Sequence, residues 1–491
     1  MLDRRLFMGA ALTSGLLASA SARAATAAPP PDDAIAVLVA HMLNARFENL
    51  PAFALDTTRA QLRDTVGVAL AGRGESGVRE LRELAATIGG KGESTVWASK
   101  LRLPSHDAAR INAVMVHALE YDDTFGPGFL HPSAITLPAA LAVADMVGKV
   151  SGRELLAAVT LANDIACRLS IAGQPGVDGF AIGWHNTTLI GYLSSALVAG
   201  RLMRLNRDQL VHAAGIAAHQ AAGNAQSHID GALTKRMGPG FASAAGVLAA
   251  RLAAREVTGP RGVLEGRKGW FTQYHKGIYS RDLLLDGLGS EYPGAAMSFK
   301  PWPSCRGSHT SADAALQIAA VMGPRAGAIT RIVIRNGPAE WGFLTTPIER
   351  KRHPATTVEA QFSVPWVVAA ALTDGKVGIA HFTLEALLRD DLRAMAARIE
   401  TVQDDGLAHP SGGPGAAVVE VTLQDGQTLR RHVAAAKGDP DVPMSAAEVT
   451  AKFDDCLDYA GIGPARQARL RALLNGVDRL PDVSRLTAAM A

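Results

Sequence analysis

Cysteine is scarce in this chain. Three occur among 491 residues, Cys167, Cys305 and Cys456, widely separated and with no Cys-x-x-Cys pair. That spacing excludes a disulfide framework and supplies no zinc signature. Aromatic residues make up 5% and charged residues 19%. The formal net charge is only +3, and no basic run or aromatic-interleaved basic stripe appears, so nucleic-acid binding is not expected. Past the N-terminal segment, no apolar run reaches the ~20 residues that a membrane-spanning helix needs. What is abundant is alanine and glycine, with 49 glycines. Small side chains let helices approach closely. The 48% hydrophobic content suits a well-buried enzyme rather than a disordered chain. The length predicts two domains.

The first residues read as a targeting segment. Asp3-Arg4-Arg5-Leu6-Phe7-Met8 has the form of a twin-arginine signal, the apolar run Gly9–Ala20 follows, and Ala22-Arg23-Ala24 resembles an Ala-x-Ala cleavage site. Residues 1–28 are therefore expected to be a signal peptide. The expected location is the periplasm, with no membrane insertion after cleavage.

Residues 34–294 read as a helical domain. Asp33 is placed to cap the first helix, Arg59–Leu70 carries apolar residues at helical spacing, and Ser151-Gly-Arg-Glu154 and Asn206-Arg-Asp-Gln209 are helix starts. The pattern changes near Pro293. Thr330–Arg335, Val418–Leu423 and Thr428–Val433 alternate with period two, the last two joined through Asp425-Gly426, a hairpin signal. A helix-like stretch runs from Val364 to Leu372. Residues 295–435 thus read as a smaller α+β domain, and 440–491 as helices, opened by Ser445-Ala-Ala-Glu448, that return to the first. The expected fold class is mainly α with a smaller α+β domain.

Four clusters carry chemistry. In Asn112–Ser133 the spacing predicts a helix through Asp123, ended by Gly126-Pro127-Gly128. That puts Glu120 and Asp123 on one face, where like charges raise each other's proton affinity. His131 follows directly. His185, in Gly183-Trp-His-Asn-Thr-Thr188, precedes a helix whose N-terminus would favour an anion. Lys235 and Arg236 are adjacent cations suited to a di- or tricarboxylate and an enolate-like intermediate. The loop Lys300–His309 gathers Cys305, Arg306 and His309, which are expected to border the cleft.

These motifs, in this order, resemble the MmgE/PrpD family, whose members include 2-methylcitrate dehydratase, cis-aconitate decarboxylase and related epimerases. The matching pieces are HALEYDDT…HPS, GWHNTT, LVHAAGIAAHQAAG, LTKRMGPGFASAAG, FKPWPSCRGSH and VEAQFSVPWVVAAALTDG. The resemblance implies a large helical domain with a lid domain, a site between them, a homodimer, and cofactor-free, metal-free lyase or isomerase chemistry on a small polycarboxylate. By position it assigns roles to Thr124, His131, His185 and Lys235. The chain departs from the family pattern in four places. Glu120 stands where Asp is usual, and Gly238 where citrate-acting members often carry His. Trp302 stands where Tyr is common, and the loop FGPGFL after Thr124 is longer and more apolar.

The expected activity is dehydratase-like. A base removes a proton α to a carboxylate, with His131 and His185 as acid and base, Glu120 or Asp123 tuning one of them, and Lys235 stabilising the charge. The alternatives are an epimerase or decarboxylase of a related acid, or a non-catalytic periplasmic carboxylate-binding protein.

Overall fold

Three helices lie close enough together to bring their ends to one point. A Cβ on Gly240 would sit 2.5 Å from Val114 Cγ2 and 2.7 Å from the Arg110 carbonyl oxygen. Only a residue without a side chain allows the helix Thr234–Ala253 to press so closely on Ser105–His117. The two run antiparallel, so the end of one meets the start of the other. Asn186–Leu202 packs alongside in the same direction as Thr234–Ala253. His117 at one C-terminus, His185 as an N-cap and Lys235 in a first turn are thereby gathered.

The computed structural model describes residues 32–174, 182–409 and 414–491. The twin-arginine segment and its cleavage site lie outside the described residues. The fold is mainly α with a smaller α+β part. The larger hydrophobic core is built by helices Ala34–Asn44, Ala52–Gly72, Ser133–Val147, Gly152–Ala172, Asn186–Leu202 and Arg207–Gln220, with their neighbours. Gly152–Ala172 is long and apolar enough to cross a membrane, but 94% of its apolar window is buried inside the protein, which makes it a core helix.

The second core lies on a four-stranded sheet. The order is Ile399–Gln403, Ile329–Asn336, Ala417–Leu423, Thr428–Val433, with the first pair parallel and the others antiparallel. Ile332, Ile334, Val419 and Val421 pack with Trp366 and its helix Val364–Asp374. The Asp425-Gly426 hairpin forms, with Gly426 at φ 84°. Ile399–Gln403 has no counterpart among the predicted strands. Its pairing is parallel and its pattern Ile-Glu-Thr-Val-Gln is too short to alternate clearly.

Two helical boundaries depart from the sequence reading. The helix from Ser105 ends at His117, not Asp123. Glu120 takes the left-handed conformation, φ 51°, which no helix continues through. From there the chain extends, and Thr124 pairs with Ser298 in an antiparallel bridge, each N–H donating to the other's carbonyl at 2.9 Å. That bridge fixes Lys300 beside Glu120. At Ser151 only half of the capping box exists. Its hydroxyl accepts from the Glu154 N–H at 3.2 Å, while the Glu154 carboxylate binds Arg201 instead.

The helix Ala446–Tyr459, opened by a reciprocal Ser445–Glu448 capping box, packs on Ala52–Gly72. Its Lys452 is buried. The ammonium is 2.5 Å from Asp64 Oδ1, donates to the Tyr121 carbonyl at 2.8 Å and lies 4.1 Å from the centre of the Tyr121 ring.

Candidate active site

One cavity of about 150 Å³ has Glu120, Thr124, His131, His185, Lys235 and Lys300 in its lining, together with Cys305 and Arg306. The structure thus brings together five of the six residues proposed to be catalytic. The sixth, Asp123, turns away. Its Oδ2 accepts from Gln61 Nε2 at 2.8 Å and Ser133 Oγ at 2.6 Å, and burial among other carboxylates pushes its carboxyl up to about 7. Because the helix stops at His117, Glu120 and Asp123 do not share a face.

Two further expectations are corrected. Arg236 is not in the cavity wall; its guanidinium reaches the Ser76 carbonyl at 3.0 Å, Glu75 at 3.4 Å and Gln361 at 3.4 Å. On a helix, neighbouring residues point about 100° apart. With Lys235 aimed inward, Arg236 cannot be. His309 also lies outside the cavity. Its Nδ1 accepts from Arg306 at 2.8 Å, and its Nε2–H donates to the Ser304 carbonyl at 3.2 Å. Cys305 does line the cavity, but burial pushes its thiol up, so it is no ready nucleophile.

The sequence reading passed over His117, Asp122 and Lys300. His117 Nδ1–H donates to Asp122 Oδ2 at 2.8 Å, which leaves Nε2 to accept from the Lys235 ammonium at 2.9 Å. Lys235 in turn pairs with Glu120. Lys300, fully buried, donates to the Glu120 carbonyl at 3.0 Å and sits 3.3 Å from Oε2. A chain of charge-assisted contacts therefore runs Asp122–His117–Lys235–Glu120–Lys300. Burial pulls the ammonium groups of both lysines below their ordinary values, Lys235 well below.

His131 is held in one tautomer. Its Nδ1 lies 2.8 Å from the Asp123 carbonyl and 3.4 Å from Asp122 Oδ2, both acceptors. Nδ1 must carry the proton, so Nε2 keeps the lone pair. Burial brings the His131 imidazole down to about 4, so it is neutral near pH 7. His185 is also held neutral by burial, and its Nδ1 is 2.7 Å from Thr188 Oγ1. The rings of His117 and His131 are 4.9 Å apart, and those of His117 and His185 are 5.9 Å apart. His117, Asp122 and His131 place three ligand atoms within 4.8 Å of one another, a donor set that could hold a cation. The Lys235 ammonium already supplies a positive charge to that cluster.

Gly238 has a steric reason. A Cβ there would lie 2.1 Å from Thr188 Oγ1 and 3.4 Å from His185 Nδ1. The hydroxyl that positions His185 fills the space a side chain would need. Gly238→Ala should push Thr188 aside and lower kcat/KM at least tenfold, while overpacking costs only about 1–3 kcal/mol of stability. Wild-type kinetics in a variant of near-normal melting temperature would remove Thr188 from the account.

The fold and site together are those of an enzyme of the lyase type. The MmgE/PrpD N-terminal domain matches residues 36–281 and the MmgE/PrpD C-terminal domain residues 302–476, and the chain belongs to that family. Among curated relatives, cis-aconitate decarboxylase of Mus musculus is 26% identical over 413 residues, 81% of each chain. The Homo sapiens enzyme of the same name is 29% identical, covering 73% of this chain and 74% of its own. That of Aspergillus terreus is 26% identical over 77% of this chain and 80% of its own.

Proposed function

We propose that this protein is a cofactor-independent lyase acting on a small polycarboxylate, exported by the twin-arginine route and working in the periplasm as a homodimer. The observation that carries the chemistry is the neutral His131, its Nε2 lone pair left available, in one cavity with a buried Lys235 whose ammonium burial makes more acidic. His131 Nε2 takes a proton from the carbon α to a carboxylate. The C–H electron pair moves onto that carboxylate as an enediolate, stabilised by Lys300 and by two helix N-termini. Hydroxide leaves the adjacent carbon and is protonated to water. Lys235 is a better proton donor than His185, because its ammonium is charged and made more acidic by burial, while His185 is neutral. His185 then orients the substrate.

A second reading is favoured by the relatives, which are named as decarboxylases. There the C–C bond to one carboxylate breaks, carbon dioxide leaves, and the electron pair left behind takes a proton from Lys235. A turnover screen in deuterated water tests both. The protein is mixed with citrate, cis-aconitate and substituted malates and followed by NMR. Loss of water with exchange of the α-proton supports the first reading, and bicarbonate release with deuterium gained by the product supports the second. Tight binding of these acids without any turnover would overturn both.

A further inference from the structure

We infer that the substrate of this site is a dicarboxylate bearing an apolar arm, alkyl or aryl, which lies against Phe129, Phe343 and Phe362. The inference rests on the lyase reading and narrows its substrate class. Two independent features carry it.

The first is the charge available. Among the described lining residues the cations are Lys235, Lys300 and Arg306, and the anions are Glu120 and Glu340. Both lysines are engaged by the single Glu120 carboxylate. Arg306 is committed elsewhere, to Asp439, to the carbonyls of Ala436 and Lys437 and to His309. The lining imidazoles of His131, His185 and His228 are all pulled below their ordinary range by burial and add no positive charge near pH 7. A citrate-like trianion would bring three negative charges to a pocket with little net positive charge to spare, and buried unpaired charge is costly. One carboxylate on the lysines and one at the helix N-termini can be accommodated.

The second is the apolar part of the lining. Phe129, Phe343, Leu344 and Phe362 present apolar surface that an acid without hydrocarbon bulk would leave uncovered. Phe129 sits at φ 48°, a left-handed conformation unusual for a bulky residue, at the end of the Gly126–Gly128 turn. Such strain persists where the surroundings enforce it, and it gathers at ligand sites. This is the apolar FGPGFL segment, for which acid–base chemistry has no use. Phe343 lies in the π-helical turn Trp341–Thr345, another irregularity common at functional sites. The rings of Phe343 and Phe362 meet edge to face at 5.7 Å, and Phe362 also lies 5.1 Å from the Lys235 ammonium. The arm would therefore begin where the charged end stops. A neighbouring cavity of about 460 Å³ shares His228, Ala339, Phe343 and Phe362 with the first, so there is space beyond the aromatic pair.

Calorimetry on the full chain with three unreactive acids tests this. Succinate carries two carboxylates, benzylsuccinate adds an aryl arm, and tricarballylate adds a third carboxylate instead. Benzylsuccinate should bind at least tenfold tighter than succinate, and tricarballylate no tighter than succinate. Phe343→Ala and Phe129→Ala should each cut the benzylsuccinate advantage at least fivefold while leaving succinate affinity unchanged, which also reports that the variants are folded. Tightest binding of tricarballylate, or no gain from the aryl arm, overturns the inference and leaves the lyase reading standing. Failure of all three acids to bind overturns both.

Discussion

Replacing His131 with glutamine should lower turnover by roughly 10²–10⁴-fold, the usual contribution of a positioned acid–base group. Glutamine has a similar reach but no lone pair of comparable basicity. The surroundings that fix His131, the Asp123 carbonyl at 2.8 Å and Thr124 Oγ1 at 3.3 Å, remain in place, so the melting curve should change little near neutral pH. A variant within a few-fold of wild type would take the base role away from His131. The pH profile offers a sharper reading. With the folded imidazole at about 4, the acid limb of kcat/KM should fall near pH 4 rather than near 6.5.

The same depression affects stability. Between about 4 and 6.5 the unfolded chain binds a proton at this position and the folded one does not. The stabilisation is thus complete above 6.5 and is lost as pH falls through 4. A gap of that size corresponds to roughly 3 kcal/mol. Urea titrations of wild type at pH 7 and pH 4 should differ by more than those of His131→Gln, by about that amount. An identical acid loss in both proteins would show that His131 is not buried neutral.

The second large effect concerns Lys452. Lys452→Met should cost about 3–5 kcal/mol, because it leaves the buried Asp64 carboxylate without its counter-charge. Burial already raises Asp64, with Lys452 opposing that rise. Without the ammonium the carboxyl would be held protonated to higher pH. The penalty should therefore be small at pH 5 and grow toward pH 8, as the unfolded chain ionises freely and the folded one cannot. Asp64→Asn combined with Lys452→Met should recover most of the loss. If the double variant is no more stable than the single one, the ion pair is not what matters there.

Much of the architecture could be read from local chemistry. The Asn206–Gln209 and Ser445–Glu448 boxes form as their side chains dictate, and the Asp425-Gly426 turn sets a hairpin whose strands fall where alternation put them. Those signals are short-range. The site was legible only in part, because it is made by long-range closure. His117 reads as one more residue of an apolar helix. Only the left-handed turn at Glu120 swings Asp122 back to 2.8 Å from it, and no spacing rule foretells that. Lys300 needed the Thr124–Ser298 bridge. The separation of Lys235 from Arg236, by contrast, follows from helical period alone and was open to prediction.

The contact between Lys452 and the Tyr121 carbonyl spans 331 residues of sequence. It tethers the very segment that carries Glu120, Asp122 and Thr124. During synthesis that tether cannot exist until residue 452 has left the ribosome, by which time the helices around His117 and Lys235 have long been exposed. Catalytic competence should therefore arrive late and abruptly, as a step near the completion of translation. A nascent chain arrested before residue 452 would hold most of the helical fold and no working centre.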